Sequence, residues 1–139
     1  MSCSRSRLEN FSKNRHQHET PHSKHIKSAD VPWTEKPGYS KKILLTPELL
    51  GKPGLLVQSL RIKPNEVCAP HLHKKQTEIF YFLNTNGEFS INGKKVDLSA
   101  GDAFVVEPND VHTVRNDSDE DFLYVAFKFD WVENDYFEA

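Results

Sequence analysis

An all-β fold, either a barrel or a sandwich, is the class of structure that the sequence predicts. Short runs of aliphatic and aromatic residues recur along the chain, and Pro, Gly, Asn or Asp residues bound each run. The dipeptide Asn92-Gly93 separates two such runs and is the strongest short signal for a hairpin with a type I′ turn. No segment combines the length and the periodicity of a stable helix, and residues 46–52 are expected to form a single helical turn.

The predicted strands follow one another with tight, polar connections, as in a barrel or a sandwich. They cover residues 41–46, 55–62, 66–73, 78–84, 88–92, 95–98, 103–107, 111–116 and 122–130. The segment 78–84 is the most strand-like of them. The C-terminal tail, residues 131–139, is expected either to pack back on the barrel or to lie on a partner.

Length and composition predict one folded domain. The chain has 139 residues, 37% of them hydrophobic, which is enough for one compact core but not for two. Residues 1–30 are polar and aperiodic and are predicted to be a disordered tail, whereas residues 31–139 are predicted to form a single barrel domain. Histidines in this tail have no hydrophobic frame that would build a specific site, and they are His16, His18, His22 and His25.

Charge, hydropathy and cysteine content exclude several classes. A formal net charge of −2 gives no chain-wide basic field for nucleic acid. No apolar run approaches the roughly 18 residues of a membrane span, and the N-terminus lacks an apolar signal-peptide core. Cys3 and Cys68 do not make a disulfide framework. We therefore expect a cytoplasmic protein without a membrane or nucleic-acid partner.

Three histidines and a glutamate are the candidate metal ligands. His71 and His73 are two residues apart on a predicted strand, so their side chains leave the same face. Glu78 follows across a short turn at the head of the strongest strand, and His112 opens a later strand. Imidazole ligands suit Fe, Zn and Ni, and a carboxylate also admits Mn. The pattern predicts one divalent ion held by His71, His73, Glu78 and His112.

The walls of the predicted pocket are mainly apolar. Gln58 is the one polar candidate for a substrate contact. The apolar candidates are residues that we expect to line the barrel and secondarily the pocket, and they are Phe80, Phe82, Phe104, Val114 and Phe127. Cys68 lies three residues before His71, so strand alternation places it on the opposite face unless Pro70 disturbs the register. We expect it to be a free, buried cysteine rather than a redox-active one.

Two stretches around these ligands resemble a known pair of motifs. Between Asn65 and Thr85 the chain reads H-x-H-x4-E, with Asn and Thr at the places where glycine would open and close the motif. From Gly101 onward, His112 and then an asparagine at 116 keep a second set of spacings. Glu107 and Asn109 replace a proline and a glycine in that second set, and each such asparagine tolerates positive φ.

Over roughly residues 41–130 the chain resembles small single-domain members of the cupin superfamily. The resemblance implies a double-stranded β-helix, or jelly roll, with a mononuclear metal site on the four ligands named above. It also suggests a homodimer, for which exposed aromatic residues of the tail would be suited: Trp131, Tyr136 and Phe137.

The reaction stays open among three hypotheses, because one fold hosts many functions. A dry aromatic wall favours dioxygenase-like chemistry at the 3-His/1-Glu site, which we rank first. A metal-dependent isomerase or lyase for a sugar or a small acid ranks second. A sugar phosphate would need several inward-facing Lys, Arg or Tyr, and the sequence offers few of them at the right parity. An isomerase or lyase would also need a general base. Glu78 could serve only if it left the metal, and Glu107, at a turn, is the nearest spare carboxylate. The third hypothesis is a non-catalytic module that binds a small ligand. The sequence assigns no catalytic residue.

Overall fold

The computed structural model describes residues 24–139. Predictions for the N-terminal residues outside this range concern Cys3, His16, His18 and His22. His25 is exposed. A 3-10 turn covers Ser28–Asp30, and the Lys42 ammonium donates a 2.9 Å hydrogen bond to the Ser28 carbonyl. The described chain is therefore attached to the barrel from Ser28 onward.

Two antiparallel sheets face each other across one core, and they confirm the predicted all-β double-stranded β-helix. The elements are β1 Thr34–Lys36, β2 Tyr39–Leu45, α1 Pro47–Leu50, β3 Leu56–Ile62, β4 Val67–Leu72, β5 Thr77–Phe82, β6 Glu88–Ile91, β7 Lys94–Lys95, β8 Ala103–Val106, β9 His112–Arg115, β10 Phe122–Phe129 and β11 Phe137–Glu138. One sheet has the order β1-β2-β3-β10-β5-β8, and the other has the order β11-β4-β9-β6-β7. No helix among residues 24–139 is long and apolar enough to cross a membrane.

Strand alternation decides which residues enter the barrel. On β5, Glu78, Phe80 and Phe82 are buried, whereas the residues between them are half-buried or exposed. Their inward direction matches the parity that the sequence predicts for this strand. Polar and apolar inward residues therefore occupy different heights of one strand, with Glu78 at one end and Phe82 at the other.

Aromatic side chains fill the end of the barrel that lies away from Glu78. Phe82, Phe89 and Phe122 have no solvent exposure. The rings of Phe82 and Phe122 stack with their centroids 5.8 Å apart and an interplanar angle of 2°. Gly87 lies against this cluster, where a Cβ atom would come within 2.2 Å of the Phe122 ring. The absence of a side chain at Gly87 is thus a packing requirement.

Asparagine takes the place of glycine in two turns. Asn65 has φ 68° and Asn109 has φ 72°, which confirms the expectation that both adopt the left-handed region. The predicted hairpin is also present, since Asn92 and Gly93 both have positive φ and join β6 to β7.

A β-bulge in β4 corrects the prediction for Cys68. Cys68 pairs with Val114 and His71 pairs with His112, so β4 has one residue more than β9 between the two pairs. The extra residue reverses the parity, and Pro70, which cannot donate to the ladder, lies in the bulge. Cys68 is consequently on the same side as His71, with its sulfur 3.9 Å from His71 Nδ1. It is free and buried, as expected.

Residues 131–139, here called the C-terminal strap, pack back on their own barrel. The Trp131 amide donates to the Gly54 carbonyl at 2.9 Å, and the Ala139 amide donates to the Pro70 carbonyl at 3.1 Å. Between these anchors, β11 pairs with the end of β4. The first of the two alternatives for the tail is therefore the one observed. No local pattern indicated β1 or β11, which have three and two residues.

Candidate metal centre

Three imidazoles meet inside the barrel. His71 lies on β4, His73 directly follows the last residue of β4, and His112 is the first residue of β9. One ring nitrogen from each lies within 4.8 Å of the others, and all three residues are buried. These residues are therefore positioned to hold a metal ion.

Each imidazole has the same hydrogen-bond arrangement at Nδ1. In all three, Nδ1 lies within hydrogen-bond distance of a backbone carbonyl, which only accepts, so Nδ1 carries the proton. The carbonyls are those of Ala69 for His71 (2.8 Å), Asp135 for His73 (2.5 Å) and Asp110 for His112 (3.0 Å). In a neutral ring this leaves Nε2 with a free lone pair, the arrangement expected of a metal ligand whose other nitrogen is oriented by the protein.

Burial keeps two of these rings neutral. Desolvation, followed by the proximity of His112, lowers the pKa of His71 to about 4. Desolvation also lowers the pKa of His112. Both imidazoles are therefore neutral at neutral pH, and Nε2 does not need to lose a proton before it binds a cation.

Glu78 lies beside this cluster, with its Oε1 atom 2.8 Å from His73 Nε2. Burial alone would raise the pKa of Glu78, but the hydrogen bond with His73 and the Lys128 ammonium lower it to about 2, so the side chain is ionised. The Gln76 amide also donates to Oε1 at 2.5 Å. Because a neutral His73 would present a lone pair to this carboxylate, the two atoms need a proton or a metal ion between them. Two ligands at about 2.1 Å from one ion and at right angles would be about 3 Å apart, so the observed separation fits.

A cavity of about 290 Å³ opens beside the imidazoles. Its barrel wall is more polar than the sequence predicted. The wall residues that can bind oxygen-containing groups are Tyr39, Lys41, Gln58, Tyr124 and Lys128. The apolar floor consists of Leu60, Phe80 and Val114. The strap closes the remaining side with residues 131–136.

The structure places the six predicted pocket residues in three different environments. Gln58, Phe80 and Val114 line the cavity. Phe82 lies in the aromatic core and Phe104 packs against that core, so neither contributes to the cavity wall. Phe127 is 39% exposed on the outer face, because the inward parity of β10 belongs to Tyr124, Ala126 and Lys128. Glu107 is exposed at the turn before β9 and does not line the cavity.

The two cavity phenols are hydrogen-bond donors. Burial raises the pKa of Tyr39 to about 12, and it also raises that of Tyr124 well above its usual value. Both hydroxyls thus keep their protons at neutral pH. Lys41 is half-buried, and desolvation and then the Lys128 ammonium lower its pKa. The barrel wall of the cavity is therefore rich in groups that donate to oxygen.

Sequence reasoning missed the polar wall and the contact of Asp135 with the loop before Glu78. Every residue of β10 except Lys128 is apolar or aromatic, so the sequence showed no alternation from which to choose the inward set. The one available signal was Tyr124, whose parity with Lys128 would have indicated a polar face. Asp135 gave none, because it lies about 60 residues from the loop it contacts.

The fold and the three-histidine cluster define a small β-barrel protein with a histidine-based candidate metal centre. The family model described as the cupin domain matches residues 58–128, which is half of the chain. The chain belongs to the cupin family.

One curated protein and two solved structures illustrate the range of proteins that are similar to this chain. An oxalate-binding protein from Thermotoga maritima is 29% identical over 83 residues, which cover 60% of this chain and 69% of that protein. The crystal structure of a predicted oxalate decarboxylase from Thermotoga maritima superposes with a TM-score of 0.68 at 22% identity, over 76% of this chain and 97% of that one. The structure of KdgF from Halomonas sp. superposes with a TM-score of 0.66 at 24% identity, over 78% and 94% of the two chains. The two structural similarities show the shared fold.

Proposed function

We propose that this chain is a single-domain metal-dependent cupin, comprising residues 31–139, that acts on a small, oxygen-rich acid. The proposed ligands of one divalent ion are His71, His73, Glu78 and His112. The shared tautomer of the three imidazoles and the 2.8 Å approach of His73 to Glu78 support this set. Imidazole and carboxylate ligands together suit Fe, Mn, Zn or Ni.

The polar cavity wall is the observation that carries the proposed substrate class. A bound divalent ion supplies a Lewis acid that polarises a carbonyl or carboxylate oxygen. Lys41 and Lys128 provide positive charge for an anionic group, and the Tyr39 and Tyr124 hydroxyls donate to further oxygens. These residues orient the substrate, while the strap limits the access of water. The wall therefore favours the isomerase or lyase hypothesis over the dioxygenase-like one.

Two other hypotheses keep a specific observation in their favour. The apolar floor at Leu60, Phe80 and Val114 would suit the apolar part of a dioxygenase substrate. The name of the oxalate-binding relative supports a non-catalytic module, whose ligand would also be a small carboxylate. All three hypotheses share the same metal site and differ in the fate of the bound ligand.

Binding and turnover on a panel of small acids would separate these hypotheses. The purified chain, loaded with Fe²⁺, Mn²⁺ or Zn²⁺, would be offered oxalate, small hydroxy acids and sugar acids, with neutral sugars as controls. We expect calorimetric binding of the acids only, and an isomerised or eliminated product by NMR. Oxygen uptake would support the dioxygenase-like hypothesis, and binding without a product would support the binding module. Preference for neutral sugars would contradict the proposed substrate class.

A second copy of this chain is the partner that we propose for the outer face of the larger sheet. Val57, Phe127, Ile79 and Val105 form one row across four strands by register. Phe127 is 39% exposed and Val105 is 52% exposed. Since the row carries no charge, it could meet its own symmetry mate without like charges facing each other. Light scattering should find a dimer that Val105→Lys converts to a monomer, and a monomeric parent chain would refute the proposal.

A further inference from the structure

We infer that Asp135, on the C-terminal strap, is a positioning residue that sets the geometry of the metal ligands His73 and Glu78. This inference rests on the proposed metal site. It extends that site to a segment that contributes no ligand and that lies beyond the last strand of the barrel core.

The Asp135 carboxylate accepts hydrogen bonds from the loop that joins His73 to Glu78. Its Oδ1 atom accepts a hydrogen bond from the Lys74 amide at 2.8 Å. Its Oδ2 atom accepts from the amides of Lys75 and Gln76, both at 2.9 Å. Asp135 is 8% exposed, so water competes little for these bonds. Three consecutive amides of the loop that joins His73 to Glu78 are thus fixed by one side chain.

The backbone of the same residue orients the first ligand. The Asp135 carbonyl accepts the Nδ1 proton of His73 at 2.5 Å, which directs Nε2 toward Glu78. One residue therefore determines both the tautomer of His73 and the path of the chain to Glu78. The carboxylate holds the loop against the strap, and this contact keeps the carbonyl within reach of the imidazole.

The rest of the strap keeps Asp135 in register with the site. The Tyr136 ring stacks on His71 with the centroids 4.5 Å apart and an interplanar angle of 18°. Phe137, on β11, pairs with Leu72 on β4, and the Lys74 ammonium lies 4.0 Å from the centre of the Phe137 ring. Asp135 is consequently held from its C-terminal side as well as by its own hydrogen bonds.

Removal of an orienting partner from a metal ligand typically weakens metal binding by about 10- to 100-fold. We expect Asp135→Ala to fall in this range, because it frees three amides and loosens the carbonyl contact to His73. Asp135→Asn should have a smaller effect, since one oxygen remains while an amino group faces the loop amides. Glu138→Gln is the matched control: it removes one negative charge from an exposed position of the same strap.

The experiment is a Co²⁺ titration of the full chain and these three variants, followed by visible absorption, which reports the coordination geometry. Thermal unfolding of the metal-free proteins would verify that each is folded. The expected result is a 10- to 100-fold weaker affinity and an altered Co²⁺ spectrum for Asp135→Ala, with Glu138→Gln matching the parent chain. If Asp135→Ala does not fold, Asp135→Asn decides the outcome by the same two readouts.

Histidine ¹⁵N NMR of the parent chain provides an independent test. His73 should carry a proton on Nδ1, and the signal should change in the Asp135 variants. Folded Asp135 variants with parental affinity and an unchanged spectrum would overturn the inference, as would an unprotonated Nδ1 in the parent. A parent chain that binds no Co²⁺ would overturn the proposed metal site, whereas binding that is insensitive to Asp135 would overturn only the positioning role.

Discussion

Gly87→Ala should destabilise the barrel without weakening the metal centre. The new Cβ would lie 2.2 Å from Phe122 Cδ2, 2.6 Å from Cγ and 2.8 Å from the Arg115 carbonyl oxygen. Since carbon atoms pack at about 3.5 Å or more, the ring would have to move by about 1.3 Å. Phe122 has no exposure and stacks on Phe82, so this movement would open the aromatic core.

The geometry sets the expected cost. Overpacking a core typically costs about 1–3 kcal/mol, and the enclosed ring places Gly87→Ala toward the upper end. The smaller entropy of the unfolded alanine chain offsets about 0.4–1 kcal/mol of that. A net loss of about 2 kcal/mol lowers Tm by about 4–8 °C for a chain of this length. Lys128, which lines the cavity beside the imidazoles, lies six residues from Phe122 on β10, a distance of about 20 Å along the strand. Because of this separation, the affinity for metal should not change.

Thermal unfolding and Co²⁺ titration of the variant would measure these two quantities separately. Phe122→Leu, which makes room for the new methyl group, is the matched background. Gly87→Ala should cost less there than in the parent chain, which gives a favourable coupling between the two positions. A variant as stable as the parent would refute the packing argument. A loss of metal affinity in a folded variant would refute the separation of the core from the site.

Three further predictions concern the buried asparagine, the cavity wall and the metal. Asn116→Ala should lower the free energy of unfolding, measured in urea, by about 2–4 kcal/mol. The Asn116 side-chain amide donates to two backbone carbonyls, and its oxygen accepts from the Ser118 amide and hydroxyl. A change near zero would contradict this role. Lys128→Met should weaken the binding of a small carboxylate by about tenfold or more in calorimetry, equivalent to about 1.4 kcal/mol, whereas equal affinity would remove Lys128 from the substrate site. Metal at about 1,000 times its Kd should stabilise the parent chain against thermal unfolding by about 4 kcal/mol. Both chelation of the metal and His112→Ala should abolish that stabilisation. Stabilisation that persists in the variant would place the ion elsewhere.

The sequence was most informative where ligand spacing and strand parity agreed. His71, His73 and His112 could be predicted to converge because each lies on or next to a strand and the intervening turns are short. The asparagines at 65 and 109 could be predicted to replace glycine, since both tolerate the left-handed conformation that the turns require. The three converging histidines and the two asparagine turns were therefore predictable from residue type and local spacing.

Strand alternation gave wrong predictions where the strand pairing contains a bulge and where nearly all residues of a strand are apolar. The bulge around Pro70 shifted Cys68 to the inner face, which strict alternation excludes. On β10 nearly all residues are apolar, so the inward set could not be read from the pattern and Phe127 was placed inside instead of Lys128. This error inverted the expected character of the cavity wall.

Long-range contacts account for the remaining differences. Asp135 reaches the loop at Lys74 from a strap that contains a strand of two residues, and no local pattern predicts a pairing that short. Tyr39 also enters the cavity from a strand whose start the sequence did not indicate. Residues of this kind become visible only when the tertiary structure brings distant segments together.

Metal analysis tests the central claim most directly. The chain would be purified without added metal, analysed for bound ions, and titrated with Co²⁺ beside His71→Ala. We predict one divalent ion per chain at saturation, with both binding and metal-dependent stabilisation lost in the variant. A parent chain that binds no ion, together with a His71→Ala variant of unchanged stability, would contradict the claim that this barrel is built around a metal centre.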